Sequence, residues 1–271
     1  MNVLIYSNKG KDCNGEITKS LTDSLGLHQI SYEIITAKDL GSKKTADAIF
    51  VLGGDGTLLL VNEFANKNGI PLIGINTGKL GFLTEFESCE LDEAVKLFSL
   101  GELKTDERIA LEVRCEGKTY IGVNDVYVQR FFVEDVESIL ASVTIKVDGN
   151  EMFSSKGDGV VISTPTGSTA YSLSAGGSIL TPGVDALIIT PISAHSLSQR
   201  PIVYKADADF EITANGDVCV GVFVDGKCVA KLNNGNKFTI RKANNNTIFL
   251  RKKDFNFFNR LHLKLKGDMG A

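Results

Sequence analysis

Apolar positions follow two periods in turn along this chain, and the change falls near residue 105. Upstream of it, short apolar runs alternate with segments of helical spacing. Val3–Ser7 reads as a strand, and Ile17, Leu21 and Leu25 then share one helical face that closes near Gly26. Gln29–Thr36 alternates, with Ile30, Tyr32 and Ile34 set against Ser31 and Glu33. Ala48–Leu52 is an unbroken apolar run, as in a strand buried on both faces of a parallel sheet, and Ile70–Asn76 reads the same way. Between these two, Leu58–Asn66 reads as a helix closed by Gly69, and Leu91–Leu100 is a second amphipathic helix. Strands alternating with helices predict a Rossmann-like α/β domain with a parallel sheet over residues 1–105.

Downstream, short alternating runs are divided by turn residues. They are Ala110–Cys115, Thr119–Gln129, Ser142–Val147, Gly159–Ser163, Ala186–Thr190, Pro201–Tyr204, Phe210–Thr213, Val218–Val224, Lys227–Leu232 and Lys237–Arg241. Asp148-Gly149 and Asp225-Gly226 close runs of this kind, and Asp-Gly between alternating segments is a hairpin signal. Many strands with little helix predict an antiparallel β-sandwich over residues 106–250, with a helix inside Thr169–Leu180 as the exception. The tail 251–271, amphipathic and basic over Phe255–Lys266, is expected to dock back on the first domain.

Composition narrows the partners. A net charge of −4 on 271 residues offers no global basic field for nucleic acid or an anionic membrane. No apolar run reaches the roughly 20 residues of a bilayer span, and Met1–Ser7 reads as a first strand, not a signal peptide. The five cysteines are scattered without a Cys-x-x-Cys pair, which predicts free thiols and a cytoplasmic protein. Phosphates, if bound, must therefore be met locally, by backbone amides, a few cations and a metal.

Candidate chemistry concentrates in two stretches. Gly53-Gly54-Asp55-Gly56-Thr57 follows a buried strand and opens a helix, where unpaired amides and the positive end of the helix dipole favour an anion. Asp55 would repel a phosphate, so its use there is to bind a hydroxyl or a magnesium ion; the plain alternative is a capped strand-to-helix turn. The second stretch, Ser163–Tyr171, carries the hydroxyls of Ser163, Thr164, Thr166, Ser168 and Thr169 and then the Tyr171 ring. Such groups suit ribose, amides and a planar base, or else they satisfy their own backbone. Asn124-Asp125 interrupts an alternating strand and offers an amide and a carboxylate, or a simple bulge. His195 stands either as a base or as a loop brace. The dinucleotide fingerprint Gly-x-Gly-x-x-Gly fails at Leu59, and Gly117-Lys118-Thr119 lacks the first glycine of a P-loop, with Glu112 in its place, so it reads as a hairpin turn.

Taken together, Gly53–Thr57, Asn76–Leu83, Asn124-Asp125, Gly157–Ser174, His195–Pro201 and Asp225-Gly226 resemble the NAD kinase family, in family order. The family's loop at Ser193-Ala194 more often carries Cys-Pro. The resemblance implies an α/β domain followed by a β domain, and transfer of the γ-phosphoryl of ATP to the 2′-hydroxyl of the adenosine ribose of NAD. It implies Asp55 as the base, flanked by Gly53, Gly54, Gly56 and Thr57, and Asn124 and Asp125 on the NAD. It implies Lys156 and Asp158 beside the adenosine half, and Thr166, Thr169, Ala170, Tyr171, Ser172, Leu173 and Ser174 lining the dinucleotide pocket. The two stretches are expected to meet across a cleft between the domains. A divalent metal, Mg²⁺ carried with ATP, is implied with no ligand assigned to the protein, as is a homodimer or homotetramer; polyphosphate is an alternative donor. A lipid kinase of the diacylglycerol type, which shares Gly-Gly-Asp-Gly-Thr, and a non-catalytic NAD-binding module are the competing readings.

Overall fold

The computed structural model describes residues 1–79, 81–131, 140–196, 199–216 and 218–267. Leu80 of the 76–83 motif and residues 197–198 of the 195–201 motif lie outside the described residues. The chain divides into two units, one of residues 1–107 with 247–271 and one of residues 108–246.

The first unit is built on a sheet of seven strands. Its order is Ser31–Ile35, Asn2–Ser7, Ala48–Leu52, Leu72–Asn76, Thr247–Arg251 and Lys104–Arg108, with Phe86–Glu87 also paired to Leu72–Asn76. The pairings from Ser31–Ile35 through to Thr247–Arg251 are parallel. Ala48–Leu52 and Leu72–Asn76 are buried at every position, as an apolar run in a covered parallel sheet requires. Helices Glu16–Leu27 and Leu91–Ser99 pack Leu21, Leu25, Leu91, Ala94 and Val95 onto Val3, Ile5, Phe50 and Ile73. The strand Ser31–Ile35 is the sheet's edge and leaves Tyr32 and Ile34 45% and 51% exposed, so its alternation does not mark an inward face.

Two boundaries move for identifiable reasons. The helix expected from Leu58 begins at Asp55, where an acidic residue in the first turn complements the helix dipole. The strand expected from Ile70 begins at Leu72, because the Ile70 amide donates to Ala65 O at 2.9 Å and closes the preceding helix. Pro71, which follows, has no amide to give. After the second unit the chain returns through Thr247–Arg251, and Thr247 Oγ1 donates to Asn62 Oδ1 of the Asp55–Asn68 helix at 2.7 Å. Helix Phe257–Gly267 is the last element among the described residues.

The second unit is a β-sandwich of two six-stranded sheets. One runs Asn150–Gly157, Ala141–Val147, Phe210–Asn215, Lys237–Lys242, Leu111–Cys115, Lys118–Gly122. The other runs Ile202–Lys205, Ala186–Ile192, Gly159–Ser163, Asp125–Arg130, Val220–Val224, Lys227–Leu232. Neighbouring strands in both are antiparallel. Val113, Val143, Ile145 and Ile212 from the first sheet meet Val126, Val160, Ile162 and Leu187 from the second in one core. The run 119–129 is broken into two strands, and the break falls at Val123-Asn124. Within 169–180 the only α-helix is the single turn Tyr171–Ser174. Cys228 pairs with Phe223 across the Asp225-Gly226 hairpin and is exposed. Among the described residues no helix is long and apolar enough to cross a membrane.

Candidate active site

Asp55 is the first residue of its helix, directly after the buried strand Ala48–Leu52 and the two glycines that turn the chain. Its half-buried carboxylate is held by a second loop. Oδ2 accepts from the Phe82 amide at 2.7 Å, and Oδ1 accepts from the Leu83 and Thr84 amides at 2.9 and 3.3 Å. A carboxylate has about four acceptor positions. Three of Asp55's are taken by main-chain donors, which leaves one. Gly81 has to be glycine for this contact to exist, since a β-carbon there would stand 2.0 Å from Asp55 Oδ1.

Gly56 and Thr57 of the same helix start line a cavity of about 1040 Å³, together with Asn8, Lys9 and Lys38 among others. Asn8 Nδ2 donates to Thr57 Oγ1 at 3.1 Å and ties the loop after the first strand to the helix. The Gly53–Thr57 turn thus presents a fixed carboxylate beside a cavity that holds two lysines.

In the second unit, one hairpin turn organises the acceptor candidates. Asp225 sits at φ 47°, followed by Gly226 at φ 82°, the geometry of a tight two-residue hairpin. Its carboxylate accepts from the Val123, Asn124 and Asp125 amides at 2.9, 2.8 and 3.1 Å. Those amides therefore leave the strand ladder, and this is why the alternating run breaks there. From the opposite side the hydroxyl-rich loop wraps Asn124. The Thr164 amide donates to Asn124 O at 2.9 Å, and Thr164 Oγ1 donates to Val123 O at 2.5 Å. A β-carbon on Gly167 would stand 2.1 Å from Asn124 O, so only glycine lets the two segments touch.

Much of the hydroxyl chemistry in this loop is spent internally. Ser163 donates to Thr164 O, Ser168 to Pro165 O, and Thr169 to Thr166 O. Ser172 Oγ and Thr190 Oγ1 are 2.9 Å apart and buried. Thr166 Oγ1 accepts from Arg108 Nη1 at 3.2 Å. Beside this loop lies a partly buried cluster of rings and acids. The Tyr171 ring meets Tyr127 edge-on at 4.9 Å, and Tyr127 stacks on Phe223 at 4.6 Å. Asp158 is paired with Arg130 Nε at 2.7 Å. Burial, then the charges of Asp158 and Asp125, raise the Tyr171 hydroxyl's pKa. Asp125 is 4% exposed, and burial followed by the negative charge of Asp225 pushes its carboxyl up to about 7. Near neutral pH this carboxyl is both donor and acceptor.

The structure thus brings Asn124, Asp125, Asp158 and Tyr171 into one neighbourhood of the second unit. Lys156 is exposed on the adjoining strand Asn150–Gly157, and Leu173 and Ser174 complete the helical turn after Ala170. His195 is exposed, and its main-chain amide donates to Lys156 O at 2.8 Å. Sequence reasoning missed the 82–84 amides, Tyr127, Arg130 and the bracing role of Asp225. The Asp-Gly dipeptide signals the turn, but nothing in it tells where the carboxylate reaches. Among the described residues no cluster of three or more His, Cys, Asp or Glu side chains is placed to hold a metal.

An NAD kinase from Methylibium petroleiphilum is 34% identical over 264 residues, covering 94% of this chain and 86% of the relative. The ATP-NAD kinase N-terminal domain model matches residues 6–103 and the C-terminal domain model matches residues 123–252. The chain belongs to the NAD kinase family. Another member, from Heliobacterium modesticaldum, is 38% identical over 226 residues, covering 81% of this chain and 78% of the relative. Among solved structures, yeast NADH kinase complexed with NADH superposes with a TM-score of 0.82 at 25% identity, over 100% of this chain and 89% of that one. An NAD kinase from Archaeoglobus fulgidus has the same fold, with a TM-score of 0.79 at 23% identity, over 98% of this chain and 99% of that one. Two units joined in this order, a parallel sheet and then a sandwich, are the NAD kinase fold.

Proposed function

We infer that this chain phosphorylates NAD, transferring the γ-phosphoryl of ATP to the 2′-hydroxyl of the adenosine ribose to give NADP and ADP. The observation that carries the residue-level reading is the Asp55 carboxylate, immobilised by three amides with one acceptor position left. A base for phosphoryl transfer needs little intrinsic strength, because the loose transition state leaves the nucleophile's proton in place until late. What it needs is a fixed position, worth about 10²–10⁴-fold in rate. In this reading Asp55 orients the hydroxyl and takes its proton.

The acceptor is held by Asn124, Asp125, Lys156, Asp158, Thr166 and the Thr169–Ser174 segment. Tyr171 offers a ring, and Asp125, near its midpoint at neutral pH, serves as donor or acceptor to sugar or base edges. NADH bound to the yeast relative supports a dinucleotide in this role. The donor's phosphates lie against Gly53, Gly54, Gly56 and Thr57, with Lys9 and Lys38 of the cavity supplying positive charge. The described residues suit a divalent ion carried by the donor phosphates and do not suit an all-protein cage: Asp12, the carboxylate lining that cavity, is spent on Ser7, Ile17 and Thr18. Such an ion, magnesium in this proposal, would neutralise charge on the phosphates. Cytoplasmic placement and assembly as a homodimer or homotetramer belong to the same proposal, the former supported by five free thiols.

The competing lipid-kinase reading accounts for the Gly53–Thr57 turn alone, whereas the family match also spans residues 123–252. A coupled assay for NADP formation, run with ATP and with polyphosphate as donors, tests the proposal. NADP formation with ATP supports it. ADP release without NADP, or phosphorylation of diacylglycerol in its place, refutes it.

A further inference from the structure

The loop that holds Asp55 is itself held from behind. Arg260 Nη1 donates to Gly81 O at 3.2 Å, Arg251 Nη2 to Phe82 O at 3.5 Å, and Arg251 Nη1 to Leu83 O at 3.3 Å. Gly81 O and the Phe82 amide belong to one peptide group, as do Phe82 O with the Leu83 amide and Leu83 O with the Thr84 amide. Three successive peptide planes are therefore each clamped between an arginine on the carbonyl side and Asp55 on the amide side. Every peptide dipole in the set points its negative end at a guanidinium and its positive end at the carboxylate.

The guanidinium of Arg251 is 0% exposed and anchored on several sides. It pairs with Glu85 at 3.1 Å and Asp106 at 2.5 Å, and lies 4.2 Å from the Phe255 ring centroid. Burying a charge this completely is costly unless it is well paired, and here two more of its five donors go to the two carbonyls. Arg260 comes from the C-terminal helix Phe257–Gly267, lies 3.8 Å from Glu85, and feels the charge of Asp55.

We propose that Arg251 and Arg260 are positioning residues for Asp55, acting through the 81–84 peptides, and that the returning C-terminal segment exists in part to supply them. Hydrogen bonds in a chain polarise one another, so each arginine strengthens the amide bond on the far side of its peptide and narrows the directions open to the carboxylate. Neither side chain touches substrate in this account. The inference rests on Asp55 being the base.

The test is a double-mutant cycle on the full chain, read as NADP formation with KM for NAD and ATP measured separately. Asp55→Asn is made first: wild-type kcat in that variant refutes the base assignment itself. With Asp55→Asn impaired, Arg260→Ala is expected to lower kcat about tenfold while both KM values stay within about twofold. Arg260→Lys, which can still donate to Gly81 O, recovers most of the loss. In the Asp55→Asn background Arg260→Ala changes the residual rate less than about twofold, because the residue it positions is already gone. Unchanged kcat in Arg260→Ala, or the same tenfold loss with and without Asp55, overturns the inference. Arg251→Lys is expected to behave as Arg260→Ala does. Should its loss of the Glu85 and Asp106 pairs prevent folding, the Arg260 cycle decides alone.

Discussion

A β-carbon on Gly81 would occupy the space of the Asp55 carboxylate, at 2.0 Å from Oδ1. The smallest possible enlargement of one loop residue therefore displaces the proposed base, 26 positions earlier in the chain. Gly81→Ala should fold, since the carboxylate can swing aside, but kcat should fall by about 10²-fold, the scale of a displacement near 1 Å. KM for NAD should change little. Steady-state kinetics with each substrate varied in turn would check this, and an unchanged kcat would show that the carboxylate's position does not matter.

Asp55→Asn replaces one acceptor oxygen with a donor amide. One of the three main-chain amides now faces an N–H group, so the variant should lose about 1–3 kcal/mol of stability. The rate should drop about 10²–10⁴-fold while NAD still binds. Thermal unfolding, NAD titration and turnover together separate the two effects. Wild-type turnover would remove Asp55 from the base role.

Asp125 makes stability depend on pH. Its folded-state carboxyl titrates at about 7, raised by burial and then by Asp225, against about 3.9 in an unfolded chain. Between those values the fold holds a proton that the unfolded chain has released. The favourable contribution is therefore complete below about 4 and fades as pH rises through 7. Asp125→Asn cannot ionise, so its stability relative to wild type should rise across that window and level off above it. Denaturant midpoints at pH 4.5 to 8 would show the divergence, and parallel curves would contradict the shifted titration.

Tyr171→Ala removes an edge-on ring contact with Tyr127, worth about 0.5–1.5 kcal/mol, so a small loss of stability is expected. The larger effect should be on NAD: its KM should rise several-fold more than that of ATP. Equal changes in both would take the ring out of the dinucleotide pocket.

The legible and illegible parts of this protein separate by range. The Gly53–Thr57 turn was readable because strand, glycines and helix are contiguous. Asn124-Asp125 stood out as an irregularity in an alternating run, but its cause, the Asp225 carboxylate about 100 residues away, did not. The Ser163–Tyr171 hydroxyls invited a ligand-facing reading, and most of them instead bond their own loop. Residue type counts hydroxyls; only the folded path says which carbonyls are nearer than a ligand would be.

Periodicity and turn chemistry, which act between neighbours in the chain, were enough to establish an α/β sheet unit followed by a β-sandwich and to mark both glycine-bearing loops. The clamp of Arg251 and Arg260 on the peptides that hold Asp55 joins residues separated by 168 to 179 positions. Contacts at that separation leave no local pattern, because either partner in isolation is an ordinary arginine or an ordinary loop carbonyl. They come into being when the last strand, Thr247–Arg251, takes its place in the first unit's sheet and helix Phe257–Gly267 follows it, so that both arginines reach the loop that holds Asp55.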